Sequence, residues 1–286
     1  MYKILKKQQL TPLIYSMDVY APRIAQSGKP GQFLIVRTSE KGERIPLTIC
    51  DMDAQKGSVQ IVIQVAGLSS YKICNLKEGD SFTDVAGPLG RPSDFMELTP
   101  QQLKGMSYLF VAGGVGAAPV YPQAKYLHSM GAKVDVIIGA RSKELIIMEE
   151  EMSKVCDNLY ICTDDGSKGE KGVVTTVIDR LIAEGKHYDT SVAIGPMVMM
   201  KFAVLCAKKH NLPMIVSLNT LMVDGTGMCG ACRVSVAGQT KFACVDGPEF
   251  NGYDVDFDEA MRRQALYKPQ EQAANTKAGL DFLVRK

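Results

Sequence analysis

The sequence predicts a multidomain chain in three parts: an antiparallel β-barrel, a doubly wound α/β domain of the nucleotide-binding type, and a small cysteine module. Three observations predict it. Six short β-like runs, set apart by turn residues and with no long helix among them, fill the first hundred residues. Continuous apolar runs then alternate with helical patterns, starting from the glycine-rich turn Gly113-Gly114-Val115-Gly116. Further on, Asp224, Cys229, Cys232 and Cys244 form a D-x4-C-x2-C-x11-C pattern in which Gly225, Gly227 and Gly230 are interleaved.

Length and composition agree with this division. A chain of 286 residues holds two domains and a small module. A hydrophobic fraction of 46% is that of an ordinary soluble protein, and a net charge of +2 points to neither nucleic acid nor membrane. No apolar run approaches the roughly 18 residues of a spanning helix. The start, Met1-Tyr2-Lys3-Ile4-Leu5, lacks a signal-peptide core and reads as a strand. The eight cysteines are therefore expected as reduced thiols in the cytoplasm. His128, His187 and His210 are scattered near helix ends and suggest neither a triad nor a metal site.

In the first part, strands are predicted near 2–9, 13–20, 32–38, 45–50, 58–66 and 81–86. Ala21-Pro22, Ser27-Gly28-Lys29-Pro30-Gly31, Glu40-Lys41-Gly42 and Gly87-Pro88-Leu89-Gly90 separate them. Six such strands close most simply as a barrel. Gly67-Leu68-Ser69-Ser70, after the fifth strand, is a turn able to present backbone N–H groups to a phosphate, although an ordinary turn reads the same way. Cys50 and Cys74 are expected in the core.

The second part opens with the strand Tyr108–Ala112 and the turn Gly113-Gly114-Val115-Gly116-Ala117-Ala118-Pro119. Strands follow at 133–138, 158–163, 191–194 and 213–218, with helices near 143–155, 173–184 and 198–210. Gly131, Gly185 and Asn211 are placed as helix C-caps. Apolar strands alternating with helices indicate a parallel, doubly wound sheet. The first glycine turn can approach a diphosphate at a helix N-terminus. Gly139-Ala140-Arg141 and Thr163-Asp164-Asp165-Gly166 stand at strand C-termini, the ligand-binding edge of such sheets. Acidic groups there accept ribose hydroxyls and repel a 2′-phosphate, which favours NAD over NADP.

For the cysteine module three readings stand open: a [2Fe–2S] cluster, a zinc ion, or an ordinary Gly/Cys loop. The glycine density favours iron–sulfur, because a loop wrapped around a cluster aims several N–H groups inward and often needs positive φ. Asp246 is expected to cap the turn at Gly247-Pro248. Beyond Asp254, Phe257, Met261, Ala265 and Leu266 predict an amphipathic helix with Arg262 and Arg263 exposed, ended by Pro269. The tail after it either packs on the domains or another subunit, or frays.

Barrel, nucleotide fold and cysteine loop, in this order over about residues 1–250, resemble the electron-transfer subunits of dihydroorotate dehydrogenase B. Residues 1–92, with Pro30-Gly31-Gln32-Phe33, are similar to the flavin domain of ferredoxin reductases. With Asp224 where those relatives usually carry a first cysteine, the segment looks more like the small subunits of NADH-dependent reduced ferredoxin:NADP oxidoreductases, of which sulfide dehydrogenase small subunits are close relatives. The resemblance implies an FAD-binding barrel at 1–98, an NAD-binding domain at 99–220, a [2Fe–2S] module at 221–254 and a C-terminal helix and tail at 255–286. In Arg44-Ile45-Pro46-Leu47-Thr48 it implies Arg44 at the flavin diphosphate, Pro46 and Leu47 against the isoalloxazine, and Thr48 near its N5, although the spacing is Arg-x-x-x-Thr rather than Arg-x-x-Ser. It places Gly67, Ser69 and Ser70 at the flavin pyrophosphate. It places Gly113, Gly114, Val115, Gly116, Pro119, Arg141, Asp164, Asp165, Gly195, Pro196 and Met197 at NAD(H), and makes Asp224, Cys229, Cys232 and Cys244 the cluster ligands.

The activity implied is that of a flavoprotein oxidoreductase subunit passing electrons between NAD(H), FAD and the cluster, with no catalytic acid or base. Its expected partner is a larger subunit with a second flavin, [4Fe–4S] clusters and an NADP(H) site, giving an electron-bifurcating heterodimer that reaches ferredoxin through that subunit. The alternatives are an electron-transfer subunit of dihydroorotate dehydrogenase B or of sulfide dehydrogenase, and a non-enzymatic zinc-binding regulator on the same fold.

Overall fold

The structure, a computed structural model, describes residues 2–284. Strands β1 (Tyr2–Thr11), β2 (Ile14–Tyr20), β3 (Phe33–Arg37), β4 (Ile45–Asp53), β5 (Ser58–Gln64), β6 (Ser81–Phe82) and β7 (Asp84–Leu89) pair antiparallel in the order β6-β1-β2-β5-β4-β3-β7. The two edge strands are one stretch of chain. Thr83 between them donates its N–H to the Arg37 carbonyl, so the sheet curls into a nearly closed barrel. Register shifts at Ile4/Lys6, Gln9/Thr11, Phe33/Ile35 and Ile49/Asp51 supply the bends. Ile4, Met17, Leu34, Ile49, Ile61 and Phe82 fill the interior, and Cys50 and Cys74 are buried as expected. Two short helices interrupt the barrel, α1 (Pro22–Ser27) and α2 (Leu68–Asn75). At six and eight residues they are too short to display a helical period in sequence.

After α3 (Pro100–Leu103) the second sheet is built from β8 (Ser107–Gly113), α4 (Ala117–Ser129), β9 (Lys133–Ala140), α5 (Glu149–Ser153), β10 (Asn158–Thr163), β11 (Glu170–Lys171), α6 (Val174–Ala183), β12 (Thr190–Ile194), α7 (Met197–Lys209) and β13 (Met214–Ser217). Its order is β11-β10-β9-β8-β12-β13 with a last strand, β16 (Glu249–Asn251), beside β13; all are parallel except β16. Apolar side chains cover both faces, Leu109, Val111 and Ile137 on one, Phe110, Val136 and Ile138 on the other. Gly131, Gly185 and Asn211 take φ of 83°, 84° and 52° at helix ends, as the sequence predicts. The helix expected over 143–155 shrinks to α5, because Met148 turns left-handed at φ 57° immediately before it.

The remaining elements are β14 (Arg233–Val236), β15 (Gln239–Phe242), β16 (Glu249–Asn251), α8 (Phe257–Gln264), α9 (Lys268–Lys277) and α10 (Asp281–Val284). β14 and β15 form a hairpin, while β16 returns to pair antiparallel with β13. Pro269 does not merely end α8. It sits in the first turn of α9, where its missing N–H costs nothing. The tail folds back rather than fraying: α9 packs on α2, Asn275 and Leu280 are buried, and Leu283 lies against the barrel core.

Candidate functional site

The strand order of the second sheet reverses between β8 and β12, which opens a crevice at their C-terminal ends. The barrel closes that crevice from the other side, leaving a cleft of about 1320 Å³. Pro46, Leu47 and Thr48 of β4 form the barrel wall. Gly113, Gly114, Val115, Gly116 and Pro119 form the opposite wall with Gly195 and Pro196, and Arg141 and Asp164 stand at the neighbouring strand ends.

The glycines of the two turns do different work. A Cβ on Gly116 would lie 2.1 Å from the Ile194 carbonyl oxygen, and one on Gly195 would lie 3.0 Å from the Gly113 Cα. These glycines let the turns after β8 and β12 pack back to back. Gly114 has φ +55° and nothing within 4 Å of its Cβ position, so its backbone is the one left open to a ligand.

Other residues expected at the cofactors lie outside this cleft. Arg44 instead donates from Nη2 to the Asp224 carbonyl oxygen at 3.3 Å, reaching the cysteine loop. Met197 is buried in the core of the sheet. The Asp165 carboxylate accepts from the Ser167 N–H at 2.9 Å and hydroxyl at 2.6 Å, within its own turn. The Ser70 hydroxyl oxygen accepts from the N–H groups of Ala66 and Gly67 at 2.9 and 3.0 Å, and Ser69 donates to Glu43. Ser69 also lines a smaller pocket of about 300 Å³ between α2 and the 38–45 loop.

In the cysteine loop, Gly225, Gly227 and Gly230 all take positive φ, at 78°, 88° and 66°. Cys232 and Cys244 are buried with their sulfurs 3.2 Å apart, while Cys229 is exposed. Burial, and then the neighbouring Cys232, push the Cys244 thiol up to about 12. A bound cation is what relieves such a pair, since thiolates are the form that ligates. At the other end of the loop, the Asp224 carboxylate accepts from the Cys229 N–H at 2.7 Å and the Thr226 hydroxyl at 2.8 Å, and from the Thr226 N–H. These bonds hold its acid well below the usual carboxylate range. No three of these four side chains bring their donor atoms within 4.8 Å of one another among the described residues. A single tetrahedral zinc, with sulfurs about 2.3 Å from the metal, draws its ligands closer than that. Cys232 and Cys244 form one sulfur pair, and Asp224 lies against the backbone of Cys229.

The family profile described as the iron–sulfur cluster binding domain of dihydroorotate dehydrogenase B matches residues 219–256. A Thermotoga maritima protein, a homolog of the dihydroorotate dehydrogenase B (NAD(+)) electron transfer subunit, is 46% identical over 94% of this chain and 93% of its own. The chain belongs to the family of dihydroorotate dehydrogenase B electron-transfer subunits. A second member, the Fusobacterium nucleatum electron transfer subunit, is 32% identical over 87% of this chain and 95% of its own. Among solved structures, a chain of the NADH-dependent reduced ferredoxin-NADP oxidoreductase, studied for flavin-based electron bifurcation, superposes with a TM-score of 0.89 at 43% identity, covering 97% of both chains. The ferredoxin-NADP+ reductase of Plasmodium falciparum, at 16% identity over 73% of this chain and 89% of its own with a TM-score of 0.58, shares the fold.

Sequence reasoning missed three features of this family member. Arg263, expected exposed, is half-buried and donates from Nη2 to the Ala231 carbonyl oxygen at 3.0 Å, inside the C-x-x-C turn. Glu249 is half-buried where barrel, sheet and cysteine loop meet, its carboxylate accepting from the Ser93 hydroxyl at 3.0 Å and the Gln123 side-chain amide at 2.8 Å. Burial pushes its carboxyl up to about 7. The third is His210, which does have partners: its Nε2 lies 2.6 Å from Asp179 Oδ1, and the Cys206 thiol donates to that same oxygen at 3.3 Å. The i, i+4 spacing of Cys206 and His210 on a helix was the available signal.

Proposed function

We propose that this chain is the flavin- and iron–sulfur-bearing electron-transfer subunit of an NADH-dependent, electron-bifurcating ferredoxin:NADP oxidoreductase. The observation that carries the reading is the cleft itself: the β4 wall and the open turn at Gly114 face one space. FAD, NAD(H) and a [2Fe–2S] cluster are its cofactors. When bound in the cleft, FAD would supply hydride exchange with a nicotinamide and single-electron transfer to a cluster. The chain's own residues position these groups. Pro46 and Leu47 offer a flat apolar wall to a ring, and Thr48 a hydroxyl at its edge. Gly114 leaves backbone open to a diphosphate at the start of α4. Asp164 accepts ribose hydroxyls and disfavours a 2′-phosphate. Asp224, Cys229, Cys232 and Cys244 hold the cluster.

The chain works with a larger subunit. By our reading that subunit carries a second flavin, [4Fe–4S] clusters and the NADP(H) site, and passes electrons to ferredoxin. Exposed Met228 and Val245 beside the cysteine loop support a contact there. No described helix is long and apolar enough to cross a membrane, and we place the complex in the cytoplasm. Rapid mixing with NADH and with NADPH tests the cleft: NADH should reduce the bound flavin far faster. Equal rates, or faster reduction by NADPH, would overturn the nucleotide assignment.

A further inference from the structure

The cluster of Asp179, Cys206 and His210 lies outside the cysteine loop and has no role in the electron path proposed above. Asp179 comes from the middle of α6. Cys206 and His210 come from the end of α7 and the residue that caps it, one helical turn apart. Their ligand atoms, one carboxylate oxygen, one sulfur and one imidazole nitrogen, all lie within 4.8 Å of one another. Among the described residues this is the one group of three such side chains so convergent. Asp179 and Cys206 also line the wall of the large cleft.

The geometry points to a second metal site, for a divalent transition metal of the zinc type, formed by Asp179, Cys206 and His210. A mixed sulfur, nitrogen and oxygen set suits zinc rather than calcium or magnesium, which take oxygen ligands. Three protein ligands leave one tetrahedral position for water or an exogenous group. Binding releases the Cys206 proton to solvent and replaces the His210–Asp179 hydrogen bond by two bonds to the metal. The bound ion would tie α6 to α7 in the cleft wall. This inference does not depend on which nucleotide the cleft takes.

The test is zinc titration of the full-length protein, purified with its native cofactors, followed by calorimetry and elemental analysis. One zinc should bind per chain with the iron content unchanged. His210→Gln and Asp179→Asn should each weaken it at least about tenfold. X-ray absorption should show one sulfur at about 2.3 Å with nitrogen and oxygen neighbours. His210→Gln is a change at the end of α7, so it carries the test if Cys206→Ser fails to fold. Zinc that enters only as iron leaves, equal affinity in both variants, or no binding would overturn the site and leave an ion pair beside a buried thiol.

Discussion

The Asp224 carboxylate accepts hydrogen bonds from Thr226 and from the Cys229 backbone, so its own loop fixes its orientation. As a cluster ligand, the role we propose for it, it would be anionic like a thiolate but harder. Asp224→Cys should retain a [2Fe–2S] cluster with an altered EPR spectrum and potential, whereas Asp224→Ala should lose iron. Iron content and EPR of both variants decide it: full iron and an unchanged spectrum in Asp224→Ala would remove Asp224 from the ligand set. Two glycines of the turn after β8 give a sharper contrast. Gly116→Ala places a methyl against the Ile194 carbonyl and should destabilise the protein by about 2–4 kcal/mol in denaturant titrations. Gly114→Val should fold, at a cost of about 1–2 kcal/mol for its positive φ, yet weaken NADH binding in flavin-monitored titrations. The sequence marks both as glycines of one turn. Only the neighbour across the sheet separates them, because Ile194 is 78 residues away in the chain.

Two arginines clasp the cysteine loop through its backbone. Arg44, just before β4, holds the Asp224 carbonyl, and Arg263 on α8 holds the Ala231 carbonyl. Each keeps a buried Nε without a partner among the described residues. Arg263→Ala should speed iron release to a chelator several-fold while the barrel and sheet melt as before. Unchanged release kinetics would show the contact to be incidental. The long elements of this fold were legible because their apolar periods run for several turns or whole strands. The short ones were not: α1, β11 and β16 carry too few residues to show a period, and their positions are set by tertiary pairing. The same limit hid the roles of Arg44 and Arg263, since a charged side chain bound to a distant carbonyl leaves no local pattern.

At the scale of the whole molecule, Glu249 joins three parts. β16 carries it on the edge of the second sheet, Ser93 reaches it from the segment after the barrel, and Gln123 from α4. Its folded-state pKa, raised from 4.5 to about 7, means that the native protein binds this proton more tightly than the unfolded chain does. The sign follows: stability from this group is fully present below about pH 4.5 and is lost as pH rises through about 7, by up to about 3 kcal/mol. Glu249→Gln should flatten that dependence and raise stability above pH 7, as measured by denaturant unfolding across the range. A native slope already flat between those values would contradict it.

The return of β16 to the second sheet also bears on how the cysteine loop could be exchanged between proteins. Asp224 at its start is held through its backbone carbonyl by Arg44 from the barrel, its C-x-x-C turn by Arg263 from α8, and the strand just beyond its last cysteine is sewn to β13. A peptide of residues 221–254 would leave all three anchors behind. It should therefore fail to assemble a stable cluster alone, unlike a free-standing ferredoxin, and grafting it onto another reductase would require carrying its anchoring strand and both arginines with it.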